Sequence, residues 1–176
     1  EFRRVLFRST PAKPSAYAQI QYSDGSYELR VLFNGVTGAD SCEAVFRPYT
    51  SGEPDAWSTM GVSGPPTGLQ CGYAAGNYSG RAVDFRARFF NTDDEGSYWS
   101  PTLSVASVAI ENPALPAPTL NVTRTSDSGG NNTFVVNVSS TDVHTRSVAW
   151  SATVNAAPVA SGGGNSRPGQ NFSGEF

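Results

Sequence analysis

Apolar side chains recur at every second position of this chain in short runs, and turn-forming residues separate the runs. The clearest run is 82–90, where Val83, Phe85, Ala87 and Phe89 alternate with Asp84, Arg86 and Arg88. Successive side chains of a strand point to opposite faces, so this is a strand with one face buried. Tyr27, Leu29, Val31 and Phe33 alternate with Glu28 and Arg30 in the same way. Just before them Ala18, Ile20 and Tyr22 alternate with Gln19 and Gln21, which predicts a half-buried strand. Ser23-Asp24-Gly25-Ser26 joins the two runs as a turn, because Gly accepts positive φ at no steric cost. A third strand is predicted over 42–49, with Cys42, Ala44 and Phe46 on one face and Pro48 at its end or at an edge position. Shorter strands over 57–62 and 69–73 and a last one over 101–110 complete the set. Seven such strands over about 95 residues describe an all-β, two-sheet sandwich.

Glu111-Asn112-Pro113-Ala114-Leu115-Pro116-Ala117-Pro118 interrupts this pattern. Prolines at that spacing favour extended geometry and remove ladder donors, so 112–118 reads as a linker between two modules. Alternation restarts beyond it with Leu120 and Val122, then Phe134, Val136 and Val138, then Val148, Trp150, Ala152 and Val154. Three strands cannot cover both faces of a sandwich core. The span 119–176 is therefore expected to be a truncated second module, poorly ordered after about Val159, where Gly, Ser and Asn dominate. No apolar run approaches the roughly 18 residues of a membrane span, and no membrane insertion is expected of this stretch.

Two segments precede the first module. Residues 1–9, Glu-Phe-Arg-Arg-Val-Leu-Phe-Arg-Ser, read as the in-frame translation of a sequencing adapter, and 10–16 as a linker or lead-in. That segment holds three arginines and one glutamate, so the remaining chain stands at −5 against −3 for the whole. An acidic remainder has no electrostatic footprint for nucleic acid. Arginine far outnumbers lysine, with Lys13 alone, a usage typical of GC-rich bacterial genomes.

Candidate chemistry is sparse. Cys42 and Cys71 are the two thiols; neither lies in a CxxC motif, and the single histidine, His144, is remote in sequence. They are either two buried thiols or one disulfide closing a loop of about 28 residues, which would contribute roughly 3–4 kcal/mol. The exported-looking composition favours the disulfide and with it an oxidising compartment. Asp93-Asp94-Glu95 lacks the spaced oxygens of a calcium loop and reads as a solvated loop tip. His144 lies near Ser139, Ser140 and Asp142 without any nucleophile-elbow motif, and is expected to be an exposed loop histidine. No catalytic, metal or cofactor site is assigned. Trp57, Tyr98 and Trp99 fall in or beside loops, where aromatic rings either contact a sugar or a protein partner or pack over the sandwich end. Asn77, Asn121, Asn131, Asn137 and Asn171 head Asn-x-Ser/Thr triplets, glycan acceptors only in a eukaryotic secretory pathway.

One stretch carries a family resemblance. Phe85-Arg86-Ala87-Arg88-Phe89-Phe90-Asn91, then Glu95-Gly96, then Trp99-Ser100-Pro101 resembles the F strand, F–G turn and start of the G strand of fibronectin type III modules. Phe46-Arg47-Pro48 is similar to the end of that family's C strand. Phe33 stands where the family often has a core tryptophan, and Val83 where its tyrosine-corner residue is expected. The resemblance spans about 17–111 and the first three strands of the second module. It implies a fibronectin type III or immunoglobulin-like sandwich in a secreted or surface-displayed protein. The expected role is a non-catalytic structural or adhesive spacer whose partners are neighbouring domains of its own polypeptide. The rival role is a carbohydrate- or protein-binding accessory of a secreted hydrolase.

Overall fold

A computed structural model describes residues 10–91, 98–112, 114–126, 129, 132–165, 167–168 and 171–175. In chain order the first region contains β1 (Ala16–Gln21), β2 (Tyr27–Asn34), β3 (Ser41–Thr50), β4 (Glu53–Pro54) and β5 (Ser58–Thr59). It continues with β6 (Gly61–Ser63), β7 (Leu69–Ala75), β8 (Val83–Phe90) and β9 (Leu103–Val105). These strands make one sheet in the order β1-β2-β7-β6 and a second in the order β4-β3-β8-β9, with β5 also on β3. Every ladder between them is antiparallel. The described residues contain no helix, and so none long and apolar enough to cross a membrane.

The predicted alternation builds the core between the two sheets. Leu29, Val31 and Phe33 of β2 face Ala44 and Phe46 of β3 and Val83, Phe85, Ala87 and Phe89 of β8. Phe33 meets Phe89 edge-on with ring centroids 6.0 Å apart, and Tyr17 stacks on Phe85 at 6.3 Å. The turn between β1 and β2 forms as its residues require: Gly25 takes φ 80°, and the Asp24 carboxylate accepts from the Ser26 backbone N–H at 2.9 Å.

Three features depart from the periodicity. Pro48 lies inside β3, opposite Val83, rather than at its end. The Tyr49 N–H bonds the carbonyl of Ala82, just before β8, so the donorless Pro48 nitrogen points to the other edge, where pairing passes from β5 to β4. The single strand expected over 57–62 is two pieces on different sheets, β5 on β3 and β6 on β7; between them Met60 drives its side chain into the core. The strand expected over 101–110 shortens to β9, after which Val108 bridges Ser79 and Ile110 bridges Gln19 of β1.

The second region holds more strands than the three that alternation predicts. Its described residues form five strands: β10 (Thr119–Ser126), β11 (Asn132–Ser139), β12 (Ser147–Val154), β13 (Ala157–Asn165) and β14 (Asn171–Glu175). They form a β10-β11-β14 sheet and a β12-β13 hairpin. Glycine concealed β13, because it contributes no side chain to an alternating pattern. Here it serves close approach: Gly162 lies opposite Trp150, and a Cβ on it would fall 2.8 Å from the indole. Val136, Val138 and Val148, with Trp150 against them, are the small core of this region.

The two regions share a seam. Ala18, Ile20, Leu32 and Cys71, all on the outward side of the first sheet, cluster with Val143 from the β11–β12 loop. The apolar set of β1 therefore faces the second region, and Gln19 lies on the sandwich side. Its buried amide donates to the Gly76 carbonyl at 3.1 Å and accepts from the Tyr78 N–H at 2.9 Å.

Candidate functional site

Two surfaces concentrate the charged and aromatic groups, and each grows from one strand's outward positions. On the second sheet, β3 sends out Arg47 and β8 sends out Asp84, Arg86 and Arg88. Trp57, just before β5, and Trp99, just before β9, bring their indoles over these arginines. The guanidinium carbon of Arg86 lies 4.0 Å from the Trp57 ring centroid and 4.6 Å from that of Trp99. Arg47 stands 4.7 Å from Trp57, and Arg88 stands 4.4 Å from Trp99 and 4.9 Å from Phe90. The result is a ladder of alternating cations and rings across the sheet.

Carboxylates hold the ladder's two ends. Asp84 accepts from Arg47 Nε at 2.9 Å and from the Tyr49 hydroxyl at 3.0 Å, and Glu43 accepts from Arg88 Nε at 2.7 Å. Burial opposes ionisation of Asp84, but hydrogen bonds from Ser104, Arg47 and Tyr49 outweigh it and hold the carboxyl below its ordinary value. The middle rung differs. Arg86 Nε has no hydrogen-bond partner among the described residues. Burial, with Arg47 and Arg88 beside it, lowers its proton affinity, and ring faces take the place of a counter-ion. Of the aromatics singled out in the sequence, Trp57 and Trp99 are thus half-buried and engaged by cations, while Tyr98 is 64% exposed.

The other surface is the seam. Arg30, at an outward position of β2, is 1% exposed. Its Nη1 donates to the Val143 carbonyl at 2.9 Å and to the Thr145 carbonyl, its Nη2 to the Tyr22 hydroxyl at 2.8 Å, and its Nε to Glu28 at 2.6 Å. Glu28 also accepts from Arg167 of the β13–β14 loop at 3.1 Å. Burial works against the Glu28 charge, yet the hydrogen bonds from Arg167 and Arg30 prevail and set its carboxyl below the ordinary range. Nothing in the period-two pattern distinguished Arg30 from a solvated arginine. The missing signal was the chain that covers it.

His144 belongs to this seam, which corrects the expectation of an exposed loop residue: its side chain is 11% exposed. Nδ1 lies 3.0 Å from Asp142 and Nε2 lies 3.1 Å from Glu111, which follows the Ile110 bridge to β1. Ser140, its neighbour in sequence, is turned to Thr145, with the two hydroxyl oxygens 2.7 Å apart. The Ser140 hydroxyl is thus paired with Thr145 and the His144 ring with Asp142 and Glu111.

The cysteines are both free, which corrects the disulfide expectation. Neighbours on β7 point to opposite faces, so Gly72 meets core atoms of Val31 and Ala44 while Cys71 faces the seam. Cys42 packs against the core between the sheets and donates its thiol to Gln70 Oε1 at 3.2 Å. The first sheet lies between the two sulfur atoms. Burial pushes Cys42 up to about 11 and Cys71 up to about 12, so neither is a ready thiolate. Asp93, Asp94, Glu95 and Asn131 lie outside the described residues, as does the adapter-like segment. No protein-family model and no curated protein sequence matches this chain.

Proposed function

We propose that this chain is a non-catalytic spacer from a secreted or surface-displayed multi-domain protein, built from a fibronectin type III-like module and a second β module held in fixed relation. The strand orders β1-β2-β7-β6 and β4-β3-β8-β9 support the family reading, because immunoglobulin-like sandwiches distribute their strands in this way. The observation that carries the spacer reading is Arg30. A guanidinium buried under a neighbouring module and bonded to two of its carbonyls is costly to expose or to leave unpaired, so the joint resists bending. With both thiols free, the extracellular assignment rests on composition and resemblance alone.

The test is rotational diffusion by 15N relaxation on the whole chain. Residues of both regions are expected to report one correlation time, and Arg30→Ala is expected to split it into two. Separate correlation times in the unaltered protein would sink the spacer reading. The binding-accessory alternative draws its support from Tyr98, an exposed aromatic residue next to Trp99 in sequence. Ring stacking with sugars needs open aromatic faces, and the engagement of Trp57 and Trp99 by guanidinium groups weighs against it.

A further inference from the structure

A polar cavity of about 160 Å³ lies in the seam, lined by Tyr22, Glu28, Arg30, Arg146, Asn165 and Arg167. Three guanidinium groups and one carboxylate surround it. Glu28 is already bonded to both Arg30 and Arg167, and four of the five Arg30 N–H donors have protein acceptors. Arg146 stacks on Tyr22 at 3.9 Å and Arg167 on Tyr73 at 3.5 Å. Stacking fixes the plane of each fork and leaves its charge in place. Asp24 pairs with Arg146 at 3.9 Å from outside the cavity and is mostly exposed. The described lining residues therefore carry a net charge of about +2 in a space little larger than five waters. Gathering like charges this closely is unfavourable unless an anion joins them.

We propose that this cavity binds a small free oxyanion of two negative charges, of the phosphate or sulfate class, and that the site requires both regions. Arg30 and Tyr22 come from the first region and Arg146, Asn165 and Arg167 from the second. Planar guanidinium forks suit tetrahedral oxyanions because two N–H groups meet two oxygens at once. Arg146 supplies the way in, since about half of its side chain is exposed. The cavity's size selects a free ion over an oxyanion carried on a sugar or other large group.

The experiment titrates the whole chain at pH 7 with sodium phosphate, sodium sulfate and glucose 6-phosphate, holding ionic strength constant with sodium chloride. Calorimetry and amide chemical shifts are the readouts. Saturable binding of phosphate and sulfate is expected, with shifts confined to residues around Tyr22, Arg146 and Asn165. Affinity is expected to fall at least tenfold in Arg146→Met and in Arg167→Met, and to stay unchanged in Arg47→Met, which removes the same charge from the opposite sheet. Arg146 is exposed enough that its replacement leaves the fold intact. Absence of a saturable response, or an equal loss in Arg47→Met, overturns the site. Binding of glucose 6-phosphate as tight as that of phosphate overturns the assignment to a free ion. The spacer reading survives either failure, because it rests on the carbonyl bonds of Arg30 and is judged by rotational diffusion.

Discussion

The outward faces of the two sheets begin from the same pattern and end in different states. β2 carries Glu28 and Arg30 at outward positions, and β8 carries Asp84, Arg86 and Arg88. On the second sheet the arginine stems lie along indole rings and stay partly in water: Arg47 and Arg88 are 30% and 32% exposed. On the first sheet the β11–β12 loop covers Arg30 completely and answers its donors with backbone carbonyls. An arginine at an outward strand position is thus a choice between two partners. Ring faces satisfy it at a surface, where each contact contributes roughly 0.5–1 kcal/mol. Only hydrogen-bond acceptors satisfy it in the interior, where an unpaired charge costs far more.

That contrast can be broken from either side. The largest effect is expected from Arg30→Ala, which removes one of Glu28's two cationic partners and strands two seam carbonyls. It should cost about 3–5 kcal/mol in urea unfolding, the range for halving a buried ionic network. A loss below about 1 kcal/mol would place Arg30 with the surface arginines. Trp99→Ala removes two rungs of the ladder and a half-buried ring. About 2 kcal/mol is expected, less than the 3–5 kcal/mol of a fully buried tryptophan, and rotational diffusion should stay unchanged.

Acid sharpens the comparison further. Glu28 and Asp84 both have carboxyls below their ordinary values, so each contributes stability that is complete above about pH 5 and fades as pH falls through the lowered value. Urea midpoints are expected to fall on acidification below about pH 4.5, where unfolded carboxylates begin to bind protons first. Glu28→Gln should flatten the seam's share of that slope and Asp84→Asn the ladder's share. An unchanged pH profile in both variants would mean that other carboxylates govern it. The smallest effect is a gain. Asn155 and Ala156 connect β12 to β13 with φ of 51° and 65°, a two-residue turn that favours glycine at its second position. Ala156→Gly relieves about 1–2 kcal/mol of strain against about 0.5–1 kcal/mol of added chain entropy. A net gain under about 1 kcal/mol is expected. If the seam couples the two regions, the whole thermal transition moves; if only part of it moves, the cover and the sandwich melt separately.

Much of the first sandwich was legible because its strands obey one rule. The inward sets of β2, β3 and β8 and the Asp24–Gly25 turn are all where alternation and turn chemistry place them. The rest escaped for identifiable reasons. Met60 splits one apparent strand between two sheets, a change of partner that leaves no trace in periodicity. Glycines hid β13, since an absent side chain alternates with nothing. Cys42 and Cys71 invited pairing by their number, and the sheet between them forbids it. At the candidate sites, the aromatics Trp57 and Trp99 were visible in advance, whereas Arg30, Arg146 and Arg167 were not.

What the sequence determined alone is that each strand has two unlike faces, for a side-chain period of two admits nothing else. It also determined the all-β class and the turn between β1 and β2. Which face meets which partner was decided by the tertiary structure. Ala18 and Ile20 turn away from their own sandwich, Gln19 turns into it, and Arg30 is sealed beneath a loop more than a hundred residues downstream. Alternation is a local property of the backbone, while burial depends on whatever chain segment arrives to exclude water.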